Sequence, residues 1–115
     1  MKQIEYNSEL QKLLIEMMIS DGTVFSITQT IIKPEYWDRE YRKTIEVILE
    51  YTEKYRAIPT IEILKAETGK DYKIINLDKN MKEWFYDTIE NFCKHKSMEK
   101  LILDGPTLIE KGYYD

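Results

Sequence analysis

The 115-residue chain holds one cysteine, one histidine, three prolines and four glycines. Each shortage excludes a class of protein. Cys93 has no partner for an internal disulfide, so nothing points to an oxidising compartment, and the cytoplasm is the default location. Cys93 and His95 cannot complete a zinc set, for which four such ligands are usual. Two apart on a helix, they also face different sides and cannot form a Cys-His nucleophilic pair. So little glycine and proline leaves no linker or low-complexity tract. No apolar run approaches the roughly 18 residues of a membrane span, and MKQIEYNSEL lacks the apolar centre of a signal peptide. An excess of basic charge is missing as well. Seventeen basic residues are interspersed with 21 acidic ones for a net charge of −4, so a broad phosphate-binding field, and with it tight nucleic-acid binding, is disfavoured.

What is present is the material of a helical core. Apolar residues make up 43% and charged residues 33%, the balance of a folded protein, and this length supports one core. Leu10, Leu13, Leu14, Met17 and Met18 line one face of a helix that Asn7 or Ser8 can cap. Asp21 can cap a second helix, with Val24, Phe25, Ile27, Ile31 and Ile32 turned inward, although a strand pair is an alternative there because β-branched residues favour strands. Pro34 pushes Lys33 out of helical angles. Asp38 can then cap a third helix with an inward stripe of Tyr41, Ile45, Ile48, Thr52 and Tyr55, widened by Leu49. Pro59 ends it, Thr60 can cap a fourth, and Gly69 sits where helices commonly stop. Lys70 to Leu77 reads as loop. From Asp78, Met81, Trp84, Phe85, Thr88, Ile89 and Phe92 share a face of a long last helix. Asp104-Gly105-Pro106 is expected to break or kink it, with Asp104 capping a final turn or two that has Pro106 at its first position. The fold class expected is therefore all-α, a compact helical bundle with a long C-terminal helix.

Catalytic patterns are missing. Thr68-Gly69-Lys70-Asp71 is the nearest approach to a nucleotide-phosphate loop, and it fails because Leu64 stands at the first glycine position and Asp71 at the hydroxyl position. None of the carboxylates sits in an apolar run that would raise its pKa to suit a general acid. Lys94, His95, Lys96 and Lys100 cluster, but Glu90 and Glu99 flank them, which reads as a solvated surface. The chain is expected not to be an enzyme, with no catalytic, cofactor or metal residue.

Nine tyrosines and two tryptophans are many for this length, and partly exposed aromatics suit interfaces. The end of the last helix carries a further apolar group, and Phe92, Met98, Leu101, Ile102 and Leu103 are the expected contacts with a partner. Such a stripe, if it covers about 400 Å², is worth on the order of 10 kcal/mol before association costs. The pattern argues for assembly.

Pro34-Glu35-Tyr36-Trp37, then Arg42-Lys43-Thr44-Ile45 with Ile48-Leu49, then Tyr55-Arg56-Ala57-Ile58-Pro59-Thr60 resembles the N-terminal domain of DnaB-type replicative DNA helicases, especially bacteriophage versions. Gln11-Lys12-Leu13-Leu14-Ile15 is similar to the opening helix of that family. Phe92-Cys93-Lys94-His95-Lys96-Ser97-Met98-Glu99-Lys100 is similar to the first helix of its protruding hairpin. The resemblance implies a globular domain over residues 1–92 and the start of the hairpin or linker over 93–115. It implies a non-catalytic scaffold that pairs with neighbouring N-terminal domains in a hexameric ring and docks primase or a helicase loader, in the host cytoplasm if phage-encoded. ATP and magnesium would belong only to a motor domain that this sequence does not contain. Two other readings stand beside it: a free-standing adaptor or inhibitor of a replication partner, and a small helix-turn-helix regulator.

Overall fold

A computed structural model describes the backbone of residues 6–110 and the side chains of residues 6–99. Five α-helices succeed one another, α1 (Ser8–Ser20), α2 (Gly22–Thr28), α3 (Arg39–Tyr55), α4 (Ile61–Thr68) and α5 (Lys79–Glu110), with a 3-10 turn at Pro34–Tyr36. Among the described residues there is no strand, and the all-α fold stands. The alternative strand pair over residues 22–32 does not form.

Local chemistry sets most helix starts. Asn7 Oδ1 accepts from Leu10 N at 2.9 Å, Asp21 Oδ1 from Thr23 N at 2.9 Å, and Thr60 Oγ1 from Ile63 N at 3.3 Å. These are backbone donors that would otherwise have no partner in the first turn. Gly69 ends α4 at φ 77°, a conformation that costs a residue without a Cβ little. Asp38 departs from expectation. It stands at the start of α3 but its side chain caps nothing; instead its own N–H donates to Gln11 Oε1 on α1 at 2.8 Å.

All five helices contribute to the core. Leu14, Ile15, Met17 and Met18 of α1, Val24 and Phe25 of α2, Ile45 and Ile48 of α3, Leu64 of α4 and Phe85, Ile89 and Phe92 of α5 are all buried. Trp37, from the turn before α3, packs on Phe92 with ring centroids 4.8 Å apart. The inward stripes are narrower than their sequence pattern. Ile27 is 61% exposed and Ile31 is exposed too, because α2 ends at Thr28 and only Val24, Phe25 and Thr28 turn to its neighbours. Tyr55 is 55% exposed, since the last turn of α3 outruns the layers around it and leaves the ring against Tyr51, 4.6 Å away, and Lys54 Nζ, 5.2 Å from its centroid. Trp84 is likewise at the surface.

The segment between α4 and α5 is a loop pinned to α1. Glu16 Oε2 accepts from Lys73 N at 3.1 Å and Ser20 Oγ from Ile75 N at 2.8 Å. Glu16 and Ser20 are one helical turn apart, so two side chains of α1 take the alternate N–H groups that a neighbouring strand would otherwise take. Tyr72, just before them, turns inward, where its hydroxyl shares a 2.8 Å hydrogen bond with that of Thr44. Burial pushes the Tyr72 phenol up to about 12.

Candidate interaction surfaces

Helix α5 supplies the first candidate. It runs unbroken from Lys79 to Glu110, through Asp104-Gly105-Pro106, so the expected break, with Asp104 capping a further turn, does not occur. Pro106 costs the helix one hydrogen bond, to the carbonyl of Ile102, and a helix this long keeps its bonds on both sides. At roughly 1.5 Å per residue α5 is about 48 Å long, against a longest molecular dimension of 49 Å. The last buried side chain described on it is Cys93. Burial pushes that thiol up to about 12, which leaves Cys93 a small apolar core residue.

The five contact residues expected from the sequence do not behave as one group. Phe92 is 0% exposed and packs on Trp37 and on Tyr6, whose ring centroid is 5.3 Å away. It is core and has no surface to offer. Met98 is 57% exposed. The side chains of Leu101, Ile102 and Leu103 lie outside the described residues, but the helical register places their positions. At about 100° per residue, Met98, Leu101 and Ile102 fall about 180–280° round from Phe92, whereas Leu103 returns to within about 20° of it. Phe85, Ile89 and Phe92 span about 60° on the core side. The distal stripe therefore sits on the opposite half of the helix from the face that α5 uses to pack on its own domain.

Two members of the basic cluster share one carboxylate. His95 Nε2 lies 2.6 Å from Glu99 Oε2, and Lys96 Nζ 3.5 Å from Glu99 Oε1. The His95 ring also lies 5.4 Å from that of Tyr6, and its side chain remains 51% exposed. Lys94 is exposed.

Two grooves and a polar pocket mark the rest of the surface. Between α1 and the start of α5, Leu13, Met17, Met81 and Trp84, with Asp78 and Asn80, line a space of about 400 Å³. Between α2 and the second half of α3 a larger groove of about 1030 Å³ is floored by Phe25, Leu49 and Ile58 and walled by Thr23, Ser26, Gln29 and Thr30. Thr52 Oγ1 faces no hydrogen-bond partner although it is shut off from solvent, and it lines this groove. So does Arg56, which ends α3 at φ 58° and is the one non-glycine residue with positive φ among the described residues. Sequence reasoning does not reveal this groove. Its one legible signal is that α3 stops without the glycine or asparagine that such an ending favours.

The polar pocket, lined by Lys12, Tyr41, Lys70, Asp71 and Tyr72, is internally matched. Lys65 Nζ pairs with Asp71 Oδ1 at 2.8 Å, and that bond holds the Asp71 carboxyl below its ordinary range. Lys70 Nζ reaches Glu40 Oε2 at 4.0 Å.

Other chemistry finds little purchase. Among the described residues no three of His, Cys, Asp and Glu are placed to hold a metal ion, and no helix is long and apolar enough to cross a membrane. α3, its turn and α4 have the outline of a helix-turn-helix, yet the exposed residues of α4 are Glu62, Lys65, Ala66 and Glu67. Two carboxylates against one amine repel a phosphate backbone. Comparison with protein families, with curated proteins and with solved structures finds no match for this chain.

Proposed function

We propose that the chain is a non-catalytic helical docking module that works as the N-terminal scaffold domain of a DnaB-type, bacteriophage-like replicative helicase, joining neighbouring subunits and holding primase or a loader. One observation carries the docking role: α5 continues as a helix beyond Cys93, and its apolar positions there, Leu103 excepted, change sides. A stripe that faces away from its own core gains burial only from another chain. The helicase setting adds the short motifs around Pro34-Glu35-Tyr36-Trp37 and Tyr55 to Thr60. A scaffold of this kind acts by effective concentration, keeping a primase near the strand that the motor exposes, without new chemistry.

Sedimentation of residues 1–115 across a concentration series tests the docking role. The native chain is expected to self-associate, and the double substitution Leu101→Asp, Ile102→Asp to stay monomeric with its circular dichroism unchanged. A native chain that remains a monomer at 100-fold dilution and at the highest soluble concentration alike contradicts the assembly role. Loss of helix content in the variant would make the stripe core instead. A pull-down of the cognate primase by the native chain, lost in the same variant, tests the partner.

A further inference from the structure

The α2/α3 groove is the most developed surface feature that the docking reading leaves unused. We infer that it receives the distal part of α5 from a second copy of this chain, so that copies join head to tail rather than helix against helix. The inference rests on the docking role proposed above and adds to it the receiving surface and the polarity of assembly.

Four observations carry it. First, the dimensions agree. The α3 side of the groove runs from Leu49 to Arg56, about 10 Å of helix at roughly 1.5 Å per residue. Anchors at i, i+3, i+4 and i+7 need that same length in a helix-in-groove contact. Met98, Leu101, Ile102 and Gly105 are spaced in that way, and the glycine lets backbones approach closely. Leu108 and Ile109 continue the same side.

Second, the groove is unfinished. Ile27 on its lip is 61% exposed, and the Thr52 hydroxyl is buried with no partner. Arg56 is held there in a left-handed conformation that a side-chain-bearing residue adopts only at a cost, and strain of that kind concentrates at ligand clamps.

Third, charge matches. Glu46, Glu50 and Glu53 succeed one another along the exposed flank of α3, Glu53 lining the groove itself, and none makes an ion pair with a described residue. Lys94 is exposed on the same side of α5 as the stripe, one turn before Met98.

Fourth, the contact cannot be made within one molecule. Asp21, at the head of α2, pairs with Lys82 at 3.2 Å. Met98 is sixteen residues further along the same continuous helix, about 24 Å away at roughly 1.5 Å per residue, and a straight rod does not return to its own root. A contact between two different surfaces of the same chain is heterologous, and it closes a ring or grows a filament according to its rotation.

Mixing tests this in a way that a single variant cannot. Ile27→Asp spoils the groove at an exposed position, and Leu101→Asp spoils the helix; both are expected to keep native circular dichroism. Each alone is expected to weaken self-association at least tenfold. Mixed one to one, they are expected to form a dimer, because the intact helix of the first fits the intact groove of the second, and the broken pair of surfaces stops growth there. Glu50→Lys with Glu53→Lys keeps the inference testable should Ile27→Asp disturb α2, with the same expected weakening and the same rescue. If the native chain associates but Ile27→Asp and the charge-reversed variant associate as well as it does, the groove is not the receptor and the inference fails while the docking role stands. If the mixture stays monomeric although the native chain associates, the contact is symmetric and the inference fails likewise. A native chain that never associates overturns both.

Discussion

Replacing Gln11 by methionine tests the account of how α3 is placed. Gln11 is wholly buried on α1 and uses both ends of its amide: Nε2 donates to Tyr6 O at 2.9 Å and Oε1 accepts from Asp38 N at 2.8 Å. Those bonds tie the segment before α1 and the start of α3 to one side chain. Methionine fills nearly the same volume, so little cavity forms, and the loss falls on two backbone groups left without partners. A buried group orphaned in this way costs about 1–3 kcal/mol. Tyr6 and Asp38 are not fully buried, which places each near the lower end and the pair at about 2 kcal/mol. A domain near this size loses about 4–8 °C of Tm per kcal/mol, so thermal unfolding followed by circular dichroism should shift down by about 8–16 °C. Hydrogen exchange at Asp38 should quicken more than at Ile45, in the middle of α3. A variant that melts within about 2 °C of the native chain, a change worth under 1 kcal/mol, would refute the claim that Gln11 ties the start of α3 to α1.

Three further outcomes rest on single positions. A Cβ on Gly22 would meet Ile58 Cγ1 at an ordinary 3.7 Å, whereas Gly69 needs φ 77°; Gly22→Ala should therefore stabilise by about 0.4–1 kcal/mol and Gly69→Ala destabilise by more than that, as measured by urea titration. Cys93 should label with a thiol reagent at pH 8 about a thousandfold more slowly than in the unfolded chain, since a thiol at about 12 holds that much less thiolate than one at its ordinary 9.0; labelling at the unfolded rate would show the site open. Tyr72 is raised from 10.0 to about 12 in the folded state, so the stability that goes with its protonated form is fully present below pH 10 and is lost as pH climbs from 10 through 12. Tyr72→Phe should flatten the part of the alkaline unfolding profile that this residue controls, and an unchanged profile would assign the loss elsewhere.

The parts of this fold that are legible in the sequence are those whose chemistry is local. Asn7, Asp21, Thr60 and Gly69 act within four residues of themselves, so their types and positions suffice to place helix ends. Asp38 has the same residue type at the same kind of position, yet its side chain caps nothing and the bond that fixes it, from its N–H to Gln11, comes from 27 residues away. The loop from Lys70 to Leu77 can be read as loop or strand for a similar reason: its alternate N–H groups are satisfied as in a strand, but by Glu16 and Ser20. Periodicity locates the stripes on α2 and α3 and overruns them, since it measures which side of a helix is apolar and not how far a neighbour extends to cover it. Ile27 and Tyr55 are the residues left over.

The same distinction decides what the apolar end of α5 can mean. Taken in chain order, Phe92, Met98, Leu101, Ile102 and Leu103 form one sticky run; placed on a helix, two of them belong with the core side and three with the other. Had the stripe continued along the Phe85–Phe92 side, α5 would only be a core helix with a long tail, and the bland explanation would suffice. A change of side cannot arise from extending one core, because a straight helix presents each side to a single set of neighbours over a few turns. Its apolar residues there are held in register only if something rewards them, and in this chain the surface with matching length, unmatched carboxylates and an unsatisfied hydroxyl is the α2/α3 groove. Deleting Met98 to Ile109 should therefore leave Tm nearly unchanged at low protein concentration while removing its dependence on concentration. A stabilising core helix would show the reverse, a lower Tm at every concentration.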